Sequence, residues 1–483
     1  MYFFRTLVTD YTYLLPLLSV LLTMFTLPPY HWPWCIFFSF TFLFTAIKLA
    51  QTRGEAMMYG CIFGSFFSSY VTFNVLHGFH WFAGAEIFVW FMYGIGFGIV
   101  VIASLLHTLI AYIVFRYRDQ RLLTRILVLS ILFTAVDNTI TVLLSNFDYM
   151  SVQFAVITLP GAIWLQSFIR PEALVFVVMV ANITIVEFFF TKKKWLLVIP
   201  IIIIGVFVTD IQHFLPSSAT PDTSIKIALI QSQERDTNVV FGKTVDGVFE
   251  ADHLAELIEK AAEGKPDMIV YPFNPWVGAM IEDGAVANFD RDIIAVRESV
   301  FTDWVAANVP RDIVFVTWYT AYRGGAFYNE IGYWQNGVSL GAYQKQKLFP
   351  FFDYTPTWAQ NISLYSTPFD GSAGLFAATP VVYNNIDFGN IICSEVTNNN
   401  AVKQSMLGAD ILFSIGSEAM FTNELPAAFN FLKARSHASA YRTPVVRATK
   451  FGPSGVFDAY GRELGSLPYG ADGILVVDVP IER

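Results

Sequence analysis

Cysteine, histidine and charge are all scarce in this sequence of 483 residues. It has 3 cysteines and 7 histidines, and 14% of its residues are charged, against about 25% in typical globular domains. Cys35 and Cys61 lie in the apolar first half, so Cys393 is the single thiol of the second half and cannot form a disulfide within it. His253 and His437 are isolated in the sequence. We therefore expect neither a metal site nor a cofactor.

Basic residues are outnumbered, with 30 Lys and Arg against 39 Asp and Glu, for a net charge of −9. This balance leaves no basic face to neutralise phosphates, so we do not expect nucleic acid as a partner. The two halves differ in sign. Residues 1–212 contain 11 Lys and Arg against 9 Asp and Glu, whereas residues 213–483 contain 19 against 30. An acidic domain therefore follows a weakly basic one.

Hydrophobic residues, by contrast, make up 54% of the chain, which has 47 phenylalanines and a mean hydropathy of +0.50. They are concentrated before about residue 210, in stretches near the ~20 residues that cross a bilayer. This pattern predicts a polytopic α-helical membrane domain over residues 1–212. Its helices, about seven, are expected at Tyr11–Leu27, Trp34–Leu49, Met57–Leu76, Ala85–Phe115, Leu122–Leu144, Ala173–Phe190 and Trp195–Val208. No small-residue cleavage site follows the first stretch, so it is not predicted to be a signal peptide.

The connections between these helices alternate in charge, which predicts their orientation. Basic residues occur in every second connection, at Arg5, at Lys48 and Arg53, at Arg116, Arg118, Arg121 and Arg125, and at Lys192, Lys193 and Lys194. The intervening connections, residues 28–33, 74–84 and 145–167, contain no Lys or Arg. Because basic loops stay in the cytoplasm, we expect a cytoplasmic amino terminus and a second half outside. The expected location is the bacterial plasma (inner) membrane, with a multi-pass chain and a periplasmic or extracellular C-terminal domain.

A polar, proline-broken linker, residues 213–224, separates the membrane domain from residues 225–483. Beyond it, short apolar segments alternate with amphipathic ones, which is typical of an α/β domain whose helices cover its sheets. Strands are predicted at Lys226–Gln231, Asp267–Tyr271, Ile313–Tyr319, Gly389–Cys393, Ile411–Ile415, Pro444–Thr449, Ser454–Asp458 and Ile474–Val479. Helices are predicted at Ala251–Ala262, Asp290–Asn308, Asn399–Leu407 and Ala427–Tyr441.

Cys393 closes an apolar strand and is followed by Ser394 and Glu395, so a lone thiol lies beside a carboxylate. A free cysteine is commonly a small buried hydrophobe, and the alternative is a nucleophile. Further motifs occur around it at Ile227–Ser232, Pro266–Pro272, Tyr343–Pro350, Gly408–Ser414, Arg447–Gly455 and Asp458–Arg462. In their order and spacing these motifs resemble the nitrilase (carbon-nitrogen hydrolase) superfamily. With the membrane half attached, the chain resembles the apolipoprotein N-acyltransferase family.

The resemblance implies a four-layer α-β-β-α sandwich with a Glu-Lys-Cys catalytic triad. It makes Cys393 the nucleophile and Lys345 its cationic partner, because an ammonium lowers the pKa of a thiol and stabilises an oxyanion. Glu395 and Asp353 fall where the family has supporting carboxylates. The alternative for these two acids is an ordinary helix-start or loop position. The alternative for Lys345 is a surface lysine on a strand.

Position 273 departs from the family pattern. The family's general-base glutamate follows the proline that ends the second strand, but here Pro272 is followed by Phe273 and Asn274. Neither side chain can act as a base, and general acid–base help is typically worth ~10²–10⁴ in rate. Three outcomes stay open: another carboxylate has taken over, slow thiolate chemistry remains with Lys345 alone, or catalysis is lost and a binding role is kept. The candidates for a replacement are Glu395, Asp353 and Glu330.

The resemblance also implies a reaction. An acyl chain moves from a phospholipid to Cys393 as a thioester, and then to the amino-terminal cysteine amine of a lipid-modified lipoprotein. The expected partners are a phospholipid donor, a lipoprotein acceptor and the membrane, and we expect a monomer. The alternatives are a non-catalytic membrane-tethered relative that binds lipid or lipoprotein, and an anchored amide or nitrile hydrolase. Members of the family usually end in a further membrane helix, whereas a strand, Ile474–Val479, is predicted near the end of this sequence.

Overall fold

The computed structural model describes residues 12–27, 30, 32–79, 86–143, 152–157, 159–169, 171–209, 223–233, 247–273, 279–282, 295–350, 353–357, 371–372, 374, 380–419, 421 and 423–481. The chain divides into two compact units. The first consists of residues 1–77 and 90–215, and the second of residues 78–89 and 216–483. The linker predicted at 213–224 lies almost wholly outside the described residues, so the predicted domain limits stay predictions.

The first unit is helical. Its described helices are α1 (Leu14–Phe25), α2 (Ile36–Leu49), α3 (Arg53–Phe79), α4 (Glu86–Tyr117), α5 (Leu122–Leu143), α6 (Gln153–Ile157), α7 (Pro160–Leu165), α8 (Pro171–Thr191) and α9 (Val198–Val208). The longer ones lie at the predicted positions, whereas α6 and α7 are short helices in segment 145–167, which contains no Lys or Arg. Within the described part, three stretches are long and apolar enough to cross a membrane: Tyr93–Tyr117, Leu122–Thr139 and Ala173–Thr191. The number of crossings and their orientation stay predictions.

Polar side chains in the first unit fasten its helices together. Asn182 of α8 accepts hydrogen bonds from the backbone N–H and the hydroxyl of Thr41 on α2, at 3.0 and 3.1 Å. Glu187, also on α8, pairs with Lys48 at 2.7 Å and with Arg125 at 2.5 Å. Since these buried polar groups satisfy one another, they hold α2 and α5 against α8.

The described residues of the second unit form two β-sheets. Its strands are β1 (Thr223–Gln231), β2 (Met268–Tyr271), β3 (Ala279–Ile281), β4 (Ala295–Arg297), β5 (Val314–Arg323), β6 (Ala326–Gln335), β7 (Val338–Gln344), β8 (Val381–Tyr383), β9 (Ile386–Ile392), β10 (Ile411–Ser417), β11 (Val445–Lys450), β12 (Ser454–Phe457), β13 (Glu463–Leu467) and β14 (Gly473–Ile481). Its helices are α10 (Gly247–Ala262), α11 (Glu298–Asn308), α12 (Asn399–Met406) and α13 (Glu424–Tyr441).

The order of the strands brings the carboxyl ends of several strands together. The first sheet has the order β14-β1-β2-β5-β3-β4, with β6 and β7 added beside β5, and the second has the order β13-β12-β11-β10-β9-β8. Strands β1, β2 and β5 are parallel neighbours, and so are β9, β10 and β11. In each sheet the carboxyl ends of these parallel strands therefore meet along one edge, where loop residues can form a site.

Among the described residues of this unit, three hydrophobic cores join four layers. The central core lies between the two sheets and includes Ile227, Val316, Ile392, Phe413 and Ala448. A second core packs the first sheet against α10 and α11, and a third packs the second sheet against α12 and α13. The predicted α-β-β-α sandwich is confirmed. The helix predicted from Asp290 is wrong at its start, because a short strand, β4, precedes a helix that begins at Glu298.

The hairpins that connect β5, β6 and β7 were not predicted, although the sequence carries their signals. Gly324-Gly325 and Asn336-Gly337 are two-residue turns between paired strands. Their φ angles are +58°, +87°, +48° and +76°, all positive, as a type I′ turn requires. These turns place β7 beside β6 and so deliver the segment that follows β7 to the edge of the sheet.

Candidate active site

Cys393 lies at the carboxyl end of β9, where the chain enters a short 3₁₀ turn, Cys393–Thr397. Its φ of +51° is in the left-handed region, which costs energy for a residue with a side chain. The neighbouring strand leaves room for this turn, since a Cβ on Gly416 of β10 would come within 3.3 Å of the Cα of Cys393. Cys393 is half-buried and packs against the central core. The turn and the core contact together hold Cys393 at the carboxyl end of β9.

Glu395 is completely buried and ties the cysteine turn to the segment after β7. Its carboxylate accepts hydrogen bonds from the backbone N–H groups of Ile392 (2.8 Å), Gln346 (2.8 Å) and Lys347 (2.9 Å). The hydroxyl of Tyr343 donates to both carboxylate oxygens, at 3.1 and 3.0 Å. Because four donors occupy this carboxylate, its geometry fits a positioning residue better than a general base.

Lys345 follows β7 directly, and 2% of its side chain is exposed, so it is not a surface lysine. Its Nζ lies 2.6 Å from Oδ2 of Asp353. Asp353 also accepts hydrogen bonds from the backbone N–H of Phe349 (2.6 Å) and from Nδ2 of Asn329 (2.9 Å), so its position is fixed from three sides. The charges of Lys345 and Cys393 each shift the pKa of the other group. The amine and the thiol therefore belong to one electrostatic environment.

Phe273 lies just beyond β2 and packs against the same central core as Cys393. Its ring meets the ring of Trp318 edge to face, with 4.8 Å between centroids. The indole N–H of Trp318 donates to Asn329 at 3.3 Å, and the amide of Asn329 donates in turn to Asp353. These contacts connect the ring of Phe273 to Asp353. An aromatic side chain therefore lies in the site at the position where the family pattern has a general base.

A family model for carbon-nitrogen hydrolases matches residues 226–483, which are more than half of the chain. The chain belongs to the carbon-nitrogen hydrolase family. The resemblance inferred from the sequence motifs is thereby confirmed.

The curated relatives of this carbon-nitrogen hydrolase include apolipoprotein N-acyltransferases. The one from Aquifex aeolicus (strain VF5) is 26% identical over 232 residues, 46% of this chain and 47% of the relative. The one from Agrobacterium fabrum (strain C58) is 25% identical over 280 residues, 53% of this chain and 48% of the relative. The chain thus spans about half the length of these relatives. The carbon-nitrogen hydrolase from Helicobacter pylori G27 aligns at 17% identity with a TM-score of 0.39, covering 53% of this chain and 89% of that chain.

Opposing charges surround the thiol of this carbon-nitrogen hydrolase. Burial raises the pKa of Cys393 to about 11, with the negative charges of Glu418 and Asp353 acting in the same direction and the positive charges of Lys345 and Arg447 against it. Burial alone would lower the pKa of Lys345, but Asp353 raises it above its ordinary value. At neutral pH the free site therefore holds a protonated thiol and an ammonium. The charge of this ammonium lowers the pKa of the thiol, so it favours the thiolate form of Cys393.

A second buried ion pair near the thiol was missed in the sequence. Glu418, just past β10, pairs with Arg447 of β11 and accepts a hydrogen bond from Nδ2 of Asn430 at 3.0 Å. Burial raises the pKa of Glu418, and the positive charge of Arg447 opposes that rise. The available signal was an acid directly after the apolar strand Ile411–Ser417. The spacing of the motifs could not show that this acid affects Cys393.

Glu330, a candidate replacement for the missing base, lies elsewhere. Its carboxylate bonds to the hydroxyl of Tyr319 (2.7 Å), to Arg323 (3.2 Å) and to the amide of Gln344 (2.9 Å), on the side of the first sheet that faces α10 and α11. The structure therefore does not bring it to the thiol.

Asn274 lies outside the described residues. Among the described residues, no three His, Cys, Asp or Glu side chains are grouped to hold a metal ion, and the absence of a cofactor stays a prediction.

Proposed function

We propose that this protein is an enzyme like apolipoprotein N-acyltransferase, which moves an acyl chain from a phospholipid to the amino-terminal cysteine of lipoproteins. The observation that carries the proposal is the buried Lys345–Asp353 pair, whose charges act on Cys393 at the end of β9. The named relatives support a function related to acyl transfer. An ammonium beside a thiol is the arrangement that thiolate acylation needs.

In the first half-reaction, the thiol of Cys393 gives its proton to water, and the resulting thiolate attacks the ester carbonyl carbon of a phospholipid, so that a C–S bond forms. The ammonium of Lys345 stabilises the oxyanion of the tetrahedral intermediate. The bond between the carbonyl carbon and the glycerol oxygen then breaks. That oxygen takes a proton from water and leaves as the hydroxyl of a lysophospholipid, while the acyl chain stays on sulfur as a thioester.

In the second half-reaction, the neutral α-amine of a lipid-modified lipoprotein attacks the thioester carbonyl. A C–N bond forms, the C–S bond breaks, and the thiolate of Cys393 returns. The nitrogen loses one proton to water, which leaves an amide as the product. Because Phe273 cannot take a proton from the nucleophile, the attacking amine has to arrive deprotonated.

The proposed location follows from the first unit. The apolar stretches of α4, α5 and α8 support a membrane protein. We extend this to a multi-pass monomer of the bacterial inner membrane with a cytoplasmic amino terminus. The second unit then faces the periplasm or the exterior, on the same side as the proposed lipoprotein acceptor.

Intact-mass measurement tests the first half-reaction. Purified full-length protein in detergent is incubated with a phospholipid of one defined acyl chain. We expect a mass increase equal to that chain, reversed by hydroxylamine and abolished by Cys393→Ala. The matched control is Cys61→Ala, which removes an exposed thiol of the first unit and should keep the adduct. If the parent protein gains no mass, the acyltransferase proposal is overturned.

Phe273 favours a second candidate function, that of a non-catalytic relative that binds lipid or lipoprotein. An aromatic ring on Trp318 fits an apolar ligand, and it removes the proton acceptor that turnover would use. In that case Cys393→Ala should leave lipid binding and the cellular phenotype unchanged, whereas the acyltransferase requires the loss of both adduct and phenotype.

A further inference from the structure

Lys450 is a buried lysine that the reaction above does not use. It is the last residue of β11 and is 0% exposed. Ala448, two residues earlier, belongs to the core between the sheets. Because side chains alternate along a strand, Lys450 also points between the sheets, at the carboxyl ends of the parallel strands.

The amine of Lys450 lies against Phe273. Its Nζ is 5.7 Å from the centroid of the phenyl ring, within the distance at which a cation is attracted to a π face. Phe273 stands where the sequence motifs place a carboxylate. The structure thus has a ring and a lysine amine in the region where the family has a carboxylate.

Strand pairing in the second sheet also places the backbone of Lys450 near that of Cys393. It is paired with Ser417 of β10, and the preceding residue of that strand, Gly416, contacts the backbone of Cys393. Cys393 and Phe273 both pack on the core between the sheets. The thiol, the ring and the second amine therefore line the same end of the space between the sheets.

A carboxylate and an ammonium shift the pKa of a nearby thiol in opposite directions. A glutamate near a thiol takes up its proton, but its charge also disfavours the thiolate. An ammonium cannot take up the proton, but its charge favours the thiolate. Without a carboxylate at position 273, stabilising the thiolate becomes the available way to activate the sulfur.

We propose that the ammonium of Lys450 stabilises the thiolate of Cys393 in place of the missing carboxylate. The inference rests on the proposed function only in taking Cys393 as the nucleophile. It adds a second cation to Lys345. The charges that shift the pKa of Cys393 most are those of Lys345, of Asp353 after β7, of Glu418 after β10 and of Arg447 on β11. Glu418 is also joined to Lys450 by a backbone hydrogen bond at 2.8 Å.

The test measures the reactivity of the thiol instead of acyl transfer. In full-length protein with Cys35→Ser and Cys61→Ser, Cys393 is the single thiol, and iodoacetamide, which is uncharged, reports its thiolate fraction as pH is raised. Lys450→Met should move the midpoint to higher pH and slow alkylation near neutral pH about tenfold, because a neighbouring positive charge is lost. Lys450→Arg, which keeps the charge, should stay within about twofold of the parent.

Controls separate this effect from a loss of structure. Lys260→Met removes an exposed lysine of α10 and should leave the profile unchanged. If Lys450→Met does not fold, as judged by its melting temperature, Lys450→Gln replaces it as the neutral variant. A neutral variant that folds and shows the parent's alkylation profile overturns the inference while leaving the acyl-adduct result intact. A shifted profile in a protein that forms no acyl adduct supports the inference and rejects only the proposed acyl transfer.

Discussion

The ammonium of Lys345 and the carboxylate of Asp353 are 2.6 Å apart and almost completely buried. Asp353 is held by two further donors, so it fixes the direction of the lysine side chain. The same carboxylate acts on Cys393, where its charge raises the pKa of the thiol and Lys345 lowers it. One acid thus orients the cation and partly cancels its effect on the sulfur.

Asp353→Asn should separate these two effects. The amide can still accept a hydrogen bond, but the ammonium of Lys345 loses its counter-charge inside the protein. Breaking a buried pair in this way costs about 3–5 kcal/mol in the free energy of unfolding. The pKa of Cys393 should fall, because a negative charge that raised it is gone.

Urea unfolding and the pH profile of Cys393 alkylation measure the two effects of Asp353→Asn. Asp353→Glu is the control that keeps the charge. Its midpoint for Cys393 alkylation should stay closer to that of the parent than the midpoint of Asp353→Asn does. A thiol midpoint that rises in Asp353→Asn would contradict the assigned direction.

The sequence predicted the fold largely through apolar patterning. Buried strands such as Met268–Tyr271 and Ile411–Ser417 are short apolar runs, and their order along the chain is enough to indicate an α/β domain. The strands β6 and β7 were missed because Glu330 and other polar residues interrupt their apolar pattern, although the Gly-Gly and Asn-Gly turns mark them. Hydropathy located the long helices of the first unit because they are nearly free of charge.

The sequence was less informative about the roles of the acids in the site. Spacing placed Glu395 two residues after Cys393 and so made it a candidate base. In the structure, Glu395 holds the Cys393 turn to the segment after β7. This role depends on the N–H groups of Gln346 and Lys347, about 50 residues earlier in the chain, and such contacts exist only in the folded domain. The involvement of Glu418 depends in the same way on the pairing of β9 with β10.

Glu395→Gln tests whether the carboxylate of Glu395 holds the Cys393 turn in place. One carboxylate oxygen becomes an NH₂ group, which cannot accept the hydrogen bond that the N–H of Ile392 donates to Oε2. A buried donor left without its acceptor costs about 1–3 kcal/mol in the free energy of unfolding. We also expect slower alkylation of Cys393, since the turn that carries it is no longer held.

Glu259→Gln, on the exposed side of α10, is the matched control for Glu395→Gln and should change neither property. Urea unfolding of the full-length protein and the alkylation rate at one pH provide the two measurements. Equal stability of Glu395→Gln and the parent would show that the carboxylate is not needed to hold the Cys393 turn in place.

Phe273→Glu should restore the missing base. The new carboxylate would lie near Trp318 and close to the amine of Lys450, which supplies a counter-charge for it. If the site performs acyl transfer, the single-turnover rate of lysophospholipid release should rise by about 10²-fold, within the range that general acid–base catalysis provides. Phe273→Gln, which has the same shape but no basicity, should not show this gain. Equal rates for the Glu and Gln variants would argue against proton transfer as the missing step.

His437 of α13 should make the stability of the second unit sensitive to acid. Its Nε2–H donates to the carbonyl of Val396, in the turn after Cys393, at 2.7 Å. Burial, assisted by the positive charge of Lys433, lowers the pKa of His437 to about 3, whereas an unfolded histidine titrates near 6.5. Below pH 6.5 the unfolded chain therefore binds a proton that the folded chain does not, and stability falls by about 1.4 kcal/mol per pH unit.

His437→Gln removes this titration and keeps a side-chain N–H for the carbonyl of Val396. The stability advantage of the parent over this variant should shrink by about 2 kcal/mol between pH 7 and pH 5, because the pH falls about 1.5 units below the unfolded pKa. Urea titrations of the full-length protein in detergent, with pulse alkylation of Cys393 to report unfolding of the second unit, measure that difference at each pH. The assignment fails if the difference is the same at both, since the folded histidine would then bind its proton as readily as the unfolded one.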